Sequence, residues 1–315
     1  MAEPTILVAT WSDGLFAITG DGRTQEIPNQ RVRGLAPDGH GGVLAIVGKH
    51  SLQRRAPGGE WATIATSEFE LSCCVAAGDA VYIGTDDARM LQLSHGDAVL
   101  DLIDSFDSVA GRDSWFAGSA IINGQRVGPP LGIRSVAANS SGSILFANVH
   151  VGGIPRSMDG GRTWQPTIDI NSDVHEVCGH PSDPSIVAAA SAIGLCISYD
   201  AGATWTIERD GLHAQYCSAV AFSGNDILVS ASSDHFASQG KIYRRPARPD
   251  GSIVAVENGL PTWINGIADT ACIATNGSTT VVVDRAGNLY RSTDFGLNWS
   301  RGGSELPTAS SVLIC

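Results

Sequence analysis

The sequence predicts an all-β fold, a seven-bladed β-propeller formed as a single domain by residues 1–315, and three observations lead to this prediction. An eight-residue pattern, S-x-D-x-G-x-[T/N]-W, occurs three times, at residues 157–164, 198–205 and 292–299. The copies are spaced 41 and then 94 residues apart, the second spacing being about two periods of 47. Glycine is abundant at 37 residues and charged residues make up only 17%, a composition typical of short strands joined by tight turns.

The repeated pattern has the chemistry of a turn between two strands. A short acidic side chain accepts hydrogen bonds from backbone N–H groups of its own turn, and glycine adopts the positive φ that such turns need. Tryptophan supplies the apolar body that packs beneath the turn. We therefore expect the Ser, Asp and Trp residues of the three copies to stabilise structure and to carry no catalysis.

The three copies resemble the Asp-box, or BNR repeat, of sialidase-like β-propellers. The chain is similar to bacterial BNR-like proteins labelled "glycosyl hydrolase". The resemblance implies that the boxes lie on the face away from the binding site. It carries over no sialidase catalytic residue, because Arg33 is followed by Gly-Leu where the sialidase motif has Arg-Ile-Pro.

Aligned at the repeat period, the chain divides into seven units of short apolar strands separated by Gly, Asp, Asn or Ser turns. Six blades are the alternative, if one weak unit has been divided too finely. The first unit lacks an inner strand, which the apolar residues 311–315 can supply from the other end of the chain. Such pairing of the two termini closes the ring and leaves no exposed sheet edge.

Residues 104–131 break the period and form a long insertion between units three and four. Long loops of this kind in compact domains often form lids or binding loops. Because Trp115 lies in this insertion, we expect it to form a wall of the binding site. A tolerated surface insertion is the alternative.

Composition limits the partners. The net charge of −12 disfavours nucleic acids and anionic membrane surfaces, which attract basic proteins. Residues 1–8 lack the basic start of a signal peptide, and no apolar run approaches 18 residues. Most of the seven cysteines lie in apolar strands, as expected for buried thiols in a reducing cytoplasm. We therefore predict a cytoplasmic protein with a small-molecule substrate, and the sequence leaves its oligomeric state open.

Residues near the start of the predicted inner strands form one aligned column at the mouth of the central channel: Arg33, Cys73, Arg134, His175, Ser218 and Thr270. Four of the eight histidines come from three consecutive units at the same end: His150, His175, His213 and His235. Imidazoles held on neighbouring strands are typical ligands of a divalent transition metal. Asp173 and Glu176 beside His175, and Asp234 beside His235, are candidate carboxylates for orienting such ligands.

The same residues also suit metal-free acid–base catalysis. In that alternative His175 and His213 transfer protons near neutral pH, and Arg33 and Arg134 hold an anionic substrate. Further candidates for contact with the substrate come from loops at the same end of the ring: Trp115, Tyr216, Trp263 and Asp234.

The sequence therefore predicts an enzyme, a hydrolase or lyase acting on a polar or anionic small molecule in the central funnel. A non-catalytic scaffold for protein interaction or assembly is the alternative, because propellers often serve that role. A scaffold has no need to gather His, Arg and carboxylates at one face, and it would instead expose aromatic side chains around a rim.

Overall fold

Seven antiparallel sheets form the ring in the computed structural model, one for each blade of a β-propeller; six have four strands, and the sheet of blade 6 has a fifth short strand. The structure describes residues 3–20, 22–116, 120–122, 125–127, 131–303 and 305–315, and for 120–122 and 125–127 it describes the backbone alone. The prediction of an all-β, seven-bladed propeller is confirmed. Strands A to D of each blade run from the central channel outward.

Blades 1 to 3 contain strands β1 (Ile6–Thr10), β2 (Gly14–Thr19), β3 (Gly22–Pro28), β4 (Val32–Pro37), β5 (Val43–Val47), β6 (Ser51–Arg55), β7 (Trp61–Thr66), β8 (Leu71–Ala77), β9 (Ala80–Thr85), β10 (Met90–Ser94) and β11 (Asp101–Leu102). The insertion that follows contains α1 (Asp104–Asp107), a 3-10 helix (Arg112–Ser114) and the hairpin β12 (Ala120–Ile122) and β13 (Gln125–Val127).

Blades 4 and 5 contain β14 (Ile133–Ala138), β15 (Leu145–Val149), β16 (Pro155–Ser157), β17 (Gln165–Pro166), a 3-10 helix (Ile170–Ser172), β18 (Val174–Gly179), β19 (Val187–Ser191), β20 (Gly194–Ser198) and β21 (Thr206–Glu208). Blades 6 and 7 contain β22 (Tyr216–Ser223), β23 (Asp226–Ser232), β24 (Gln239–Pro246), β25 (Val254–Ala255), β26 (Ile264–Asn265), β27 (Ile273–Asn276), β28 (Thr279–Val283), β29 (Leu289–Ser292) and β30 (Ser300–Gly303).

The last strand, β31 (Ala309–Ile314), is the inner strand of blade 1 and pairs antiparallel with β1. The predicted closure by the C-terminal segment is therefore confirmed, with the strand beginning two residues earlier than the sequence indicated. The inner strand of blade 7 begins later than predicted, at Ile273. The residues before it form a turn in which Ala271 has a φ of 61° and Cys272 N–H donates to Asp269 C=O at 2.9 Å.

The hydrophobic core lies between neighbouring blades. One cluster joins Leu7 and Leu15 of blade 1 to Val32 and Val43 of blade 2, and similar clusters join the blades that follow. Each sheet is thus covered on both faces, which explains why second strands such as β5 are apolar at every position.

The three repeated turns join strands C and D of blades 4, 5 and 7, at the end of the ring opposite the B-to-C loops. In blade 5, Asp200 Oδ1 accepts hydrogen bonds from Thr204 N–H at 2.8 Å and Ala203 N–H at 3.0 Å, and Ser198 Oγ accepts from Gly202 N–H at 2.8 Å. The copies in blades 4 and 7 repeat the bonds to Ser and Asp. The turn chemistry expected from the residues is therefore present in all three.

The described part of the insertion packs between blades 3 and 4. Phe106 of α1 is buried, and its ring lies 5.0 Å from Trp164 and 5.8 Å from Trp115. Residues 117–119, 123–124 and 128–130 of the predicted lid lie outside the described residues. The lid itself therefore stays a prediction.

All seven cysteines are free thiols, and five of them are buried. In the described part of the chain, no helix is long and apolar enough to cross a membrane.

Deleting residues 309–315 should remove the closing strand and leave the N–H and C=O groups of β1 without partners. We expect an insoluble protein or a fall in Tm of about 10 °C or more, measured by thermal unfolding. Deleting residues 1–4 serves as the control, because they precede the paired strand. An unchanged Tm in the C-terminal deletion would contradict the observed closure.

Asp200→Ala should destabilise blade 5, because the N–H groups of Ala203 and Thr204 lose their acceptor. We expect a loss of about 0.5–2 kcal/mol in the free energy of unfolding, as when a carboxylate that caps backbone N–H groups is removed. Chemical denaturation measures it, with Asp210→Ala as a nearby exposed control. A loss of ligand binding at unchanged stability would place the turn at the functional site instead.

Candidate functional site

A cavity of about 470 Å³ opens at the centre of the ring, at the end that carries the B-to-C and D-to-A loops. Its lining combines basic and acidic side chains from blades 2 to 5 and 7, among them Arg31, Arg33, Lys49, Glu70, Asp86, Arg134, His150, Glu176 and Asp269. Most charges of the funnel therefore come from strand ends and loops of neighbouring blades.

β-Bulges aim side chains at this mouth. Near the start of the inner strand of five blades, one extra residue has no partner on strand B: Ser310, Ser72, Arg134, His175 and Ser218. A bulge changes the direction of the side chain at the extra position. The sequence alignment had placed Cys73 in this column, and the bulge puts Ser72 there instead, because the extra residue shifts the register by one.

Hydrogen bonds at the mouth join each blade to the next. Ser310 Oγ donates to Val32 C=O, Arg33 Nη2 donates to Leu71 C=O at 3.0 Å, and Cys73 Sγ lies 3.6 Å from Ile133 C=O. His175 Nδ1 and Ser218 Oγ donate to carbonyls of the following blade in the same way, at 2.6 and 2.7 Å.

Arg134 departs from this sequence of contacts. Its Nη1 donates to His150 Nε2, 3.1 Å away in the same blade. The Arg134 guanidinium thus contacts a histidine of its own blade and does not bond to the next one. A cluster of side chains fills the junction between blades 4 and 5.

This cluster consists of His150, Asp173 and His175, whose ligand atoms all lie within 4.8 Å of one another. His150 follows strand β15, His175 is the bulged residue of β18, and Asp173 ends the 3-10 helix between the two blades. Asp173 Oδ1 lies 3.4 Å from His150 Nε2 and 3.8 Å from His175 Nε2. Both histidines are buried.

Hydrogen bonds fix how the two imidazoles present their nitrogens. An arginine only donates, so His150 Nε2 must accept from Arg134 with its lone pair. A carbonyl only accepts, so His175 Nδ1 carries the proton that binds Cys217 C=O, which leaves Nε2 as the nitrogen available to a metal ion. Tyr216 packs on His175 with ring centroids 4.5 Å apart and fixes the ring plane.

The electrostatics of the cluster favour a neutral His150 beside an ionised Asp173. Burial, together with the adjacent Arg134 charge, lowers the pKa of His150 to about 3. Burial acts to raise the pKa of Asp173, yet its contact with His175 and the nearby Arg134 charge hold it below its usual range.

Three acceptor atoms therefore converge, and the carboxylate oxygen among them is buried without a hydrogen bond. Converging lone pairs in a buried site repel one another unless a cation or a proton lies between them. Two imidazole nitrogens and a carboxylate oxygen are a donor set that suits divalent transition metals. The residues present thus fit a metal ion. Cys217 C=O orients His175 through its other ring nitrogen, whereas Arg134 occupies His150 Nε2 and would have to move before that nitrogen could bind a metal.

The structure places the predicted site residues at different distances from this centre. Arg134, His150 and His175 meet there, and Tyr216 packs against it. His235 lies close enough for its charge to act on His150, but it is outside the coordinating group.

Arg33 lines the opposite wall of the same cavity, where it is bound to Asp86 at 2.6 Å.

Four predicted site residues lie elsewhere. His213 Nδ1 is 2.8 Å from Tyr243 Oη, and its ring packs edge-on against Trp263. Asp234 accepts from Phe236 N–H at 2.7 Å within its own loop. Trp115 is only 7% exposed, belongs to the core between blades 3 and 4, and is not among the described residues lining the funnel.

Sequence reasoning assigned Asp173 only a supporting role beside His175, and the structure places its carboxylate among the ligand atoms. Asp173 has a φ of 47°, a left-handed conformation that Asp tolerates better than most residues. That turn was not visible in the sequence, because it depends on the helix before it. Arg31, which lines the funnel, was not singled out at all, although it lies two residues before Arg33.

Glu176 links the strand that carries His175 to the neighbouring blades. Its carboxyl group accepts Val220 N–H at 2.9 Å and Ala271 N–H at 3.1 Å, which links blade 5 to blades 6 and 7. Burial raises its pKa to about 8, although the two N–H groups act to lower it. At neutral pH the carboxyl group is therefore largely protonated and adds little negative charge to the funnel.

In the metal-free protein, His150 should make stability depend on pH. Its folded pKa of about 3 lies below the ordinary value of 6.5, so the unfolded chain binds an extra proton between these values. Stability from this group is complete above about pH 6.5 and falls as pH drops towards 3, by up to about 1.4 kcal/mol per pH unit. Thermal unfolding between about pH 7 and pH 4.5 should therefore show a smaller fall in His150→Gln than in the wild type.

His40→Gln, which alters an exposed histidine in an A-to-B turn of blade 2, is the matched control and should follow the wild type. Equal pH dependence of His150→Gln and wild type would show that His150 is protonated normally in the folded protein.

Comparisons with known proteins identify the fold alone. No family model matches the chain, and no curated protein matches its sequence. A putative 6-phosphogluconolactonase from Bacteroides uniformis is similar in structure over all of both chains, with a TM-score of 0.67 and 13% identity. An ancestral GH74 enzyme has a TM-score of 0.62 and 15% identity, and this chain spans 40% of its length. The WD40 propeller domain of Doa1 has a TM-score of 0.60 and 11% identity, over 96% of this chain and 90% of that one. Enzymes and a WD40 domain thus share the propeller fold of this chain, and the resemblance to Asp-box proteins stays a prediction.

Proposed function

We propose that this protein is a metal-dependent hydrolase that acts on a small polar or anionic molecule in the central funnel. The observation that supports this most is the convergence of one ligand atom each from His150, Asp173 and His175 within 4.8 Å of one another, where Asp173 Oδ1 is buried without a hydrogen bond. A divalent transition metal held by these three residues would keep coordination positions for water and substrate. Such an ion polarises a substrate carbonyl and lowers the pKa of bound water.

The residues around the proposed metal centre would orient the histidines and bind the substrate. Cys217 C=O and the Tyr216 ring hold His175 in one orientation. Arg134 instead donates to His150 Nε2 itself, so ligation of a metal by that nitrogen would release the guanidinium at the cavity wall. There it can bind an anionic oxygen of the substrate through two parallel N–H groups.

Hydrolysis is better served by this site than elimination. A lyase needs a base to remove a proton. His150, with a pKa of about 3, accepts protons poorly, His175 would serve as a metal ligand, and His213 lies outside the cluster. The same value disfavours metal-free acid–base catalysis through His150 near neutral pH. Nucleophilic water generated at a metal ion requires no such base from the protein.

A non-catalytic scaffold is the second candidate, and exposed aromatic side chains favour it. Loops at the funnel end leave Phe236 85%, Trp11 43% and Trp263 37% exposed. Exposed aromatic rings are enriched where proteins bind partners. A scaffold role does not explain the buried histidine cluster, and we therefore place the scaffold second to the hydrolase.

The seven free thiols suit a protein that works in a reducing compartment, and we propose the cytoplasm. We expect a small-molecule substrate, because the funnel of about 470 Å³ has the size of a typical small-ligand pocket.

Elemental analysis of the purified protein tests the metal, followed by titration of chelator-treated protein with Zn²⁺ or Co²⁺. We expect one ion per chain, and His175→Ala or Asp173→Ala should weaken its affinity at least about 100-fold, since even residues that only orient ligands contribute 10–100-fold. Hydrolysis of small ester and lactone probes should fall together with the metal.

His213→Ala is the matched control, because the structure places this histidine against Tyr243 and outside the cluster. It should bind metal as the wild type does. An intact wild-type protein that takes up no metal, or equal affinities in His175→Ala and His213→Ala, would refute the proposed centre and favour the scaffold.

A further inference from the structure

The wall of the funnel built by blades 1 to 3 carries a second group of charges. It contains the cations Arg31, Arg33 and Lys49 and the carboxylates Glu70 and Asp86, all of which line the cavity. Cations are scarce in this chain, which has 20 Lys and Arg against 32 Asp and Glu. The presence of three cations at one wall of the cavity therefore needs an explanation.

Two of the three cations have carboxylate partners. Arg33 Nη2 lies 2.6 Å from Asp86 Oδ1, and the same guanidinium donates to Leu71 C=O. Lys49 Nζ lies 2.8 Å from Glu70 Oε1. Glu70 and Asp86 each pair with one cation. Among these five groups, Arg31 is therefore the one cation without a carboxylate partner.

Arg31 has no such partner. Its Nε is buried without a hydrogen bond, and its guanidinium forms no ion pair among the described residues. The guanidinium carbon lies 4.9 Å from the ring centre of Trp11, which holds the group by a cation–π contact. Burial and the charge of Arg33 lower the pKa of Arg31, and the nearby carboxylates Asp86 and Glu70 oppose this only in part. An anion bound beside Arg31 would therefore stabilise its charge.

We infer that Arg31, placed on the Trp11 ring, binds the anionic group of the substrate, a carboxylate or a phosphate. A planar guanidinium with free N–H groups matches either oxyanion in two-point geometry. Trp11 is 43% exposed and offers an apolar surface beside the charge.

The inference rests on the proposed function for the fate of the ligand, since His150 lines the same cavity as Arg31. A substrate anchored at Arg31 extends from blades 1 and 2 towards the cluster between blades 4 and 5. The site therefore selects small molecules that carry an anionic group at one end and a hydrolysable group at the other.

Isothermal titration of the chelator-treated full chain at low ionic strength tests the inference, with inorganic phosphate and succinate as separate probes. The treated protein is used so that an ion at the histidine cluster contributes nothing. We expect saturable binding of at least one probe, weakened about tenfold or more in Arg31→Gln and partly restored in Arg31→Lys. The probe that binds distinguishes a phosphate site from a carboxylate site.

Arg89→Gln is the matched control, because Arg89 also lies 4.9 Å from an aromatic ring, that of Phe69, but is paired with Asp87 and is not among the described funnel residues. It should bind the probes as the wild type does. Absence of binding by the wild type, or equal binding by Arg31→Gln, would overturn the inference. His175→Ala, which should lose the metal, should retain the anion binding. A wild-type protein that takes up no metal but still binds the anion through Arg31 would refute only the proposed metal centre.

Discussion

The structure depends on the closure of a ring by one strand. Residues from the C-terminal end, Ala309–Ile314, form the inner strand of the blade that begins the chain, and they pair with Ile6–Thr10. This pairing brings seven inner strands around one axis, and without it neither end of the arc would have a neighbour to cover its apolar face. The funnel exists because the ring is closed, and residues far apart in sequence line a common cavity for the same reason.

At the mouth of the funnel, β-bulges in the inner strands direct side chains that can form a site. The extra residue of each bulge turns a side chain towards the channel, and most of these side chains bond to the next blade. Arg134 differs, because its guanidinium donates to His150 of its own blade. The junction of blades 4 and 5 therefore carries buried polar atoms that local structure does not satisfy, those of His150 Nδ1 and Asp173 Oδ1. Such atoms cost stability, and they are retained most readily where a ligand compensates for them.

Charge is distributed unevenly between this mouth and the rest of the chain. The protein has a net charge of −12, yet the funnel lining includes Arg31, Arg33, Lys49 and Arg134. Glu176 is largely protonated at neutral pH because of its burial, so its carboxyl group does not cancel these cations. The carboxylates of Glu70, Asp86 and Asp269 offset three of these four charges, so the described lining keeps a small positive excess within a strongly acidic protein. Such an excess favours a small anion in the funnel over the rest of the surface.

The sequence by itself determined the number of blades, the closing strand and the position of the three repeated turns. These features follow from local patterns, since the S-x-D-x-G turn satisfies its own hydrogen bonds and apolar runs mark strands covered on both faces. The sequence also indicated the end of the ring where histidines and arginines gather. It did not separate His150 and His175, which meet, from His213, which packs against Tyr243.

Only the tertiary structure decided which of these side chains form a site. A bulge shifts the register by a single residue, so it exchanges Ser72 for Cys73, and a left-handed turn at Asp173 brings its carboxylate between two histidines. Arg31 became a candidate only once Arg33 and Lys49 were seen to be paired. Contacts of this kind depend on distances between blades, which residue spacing along one chain does not specify.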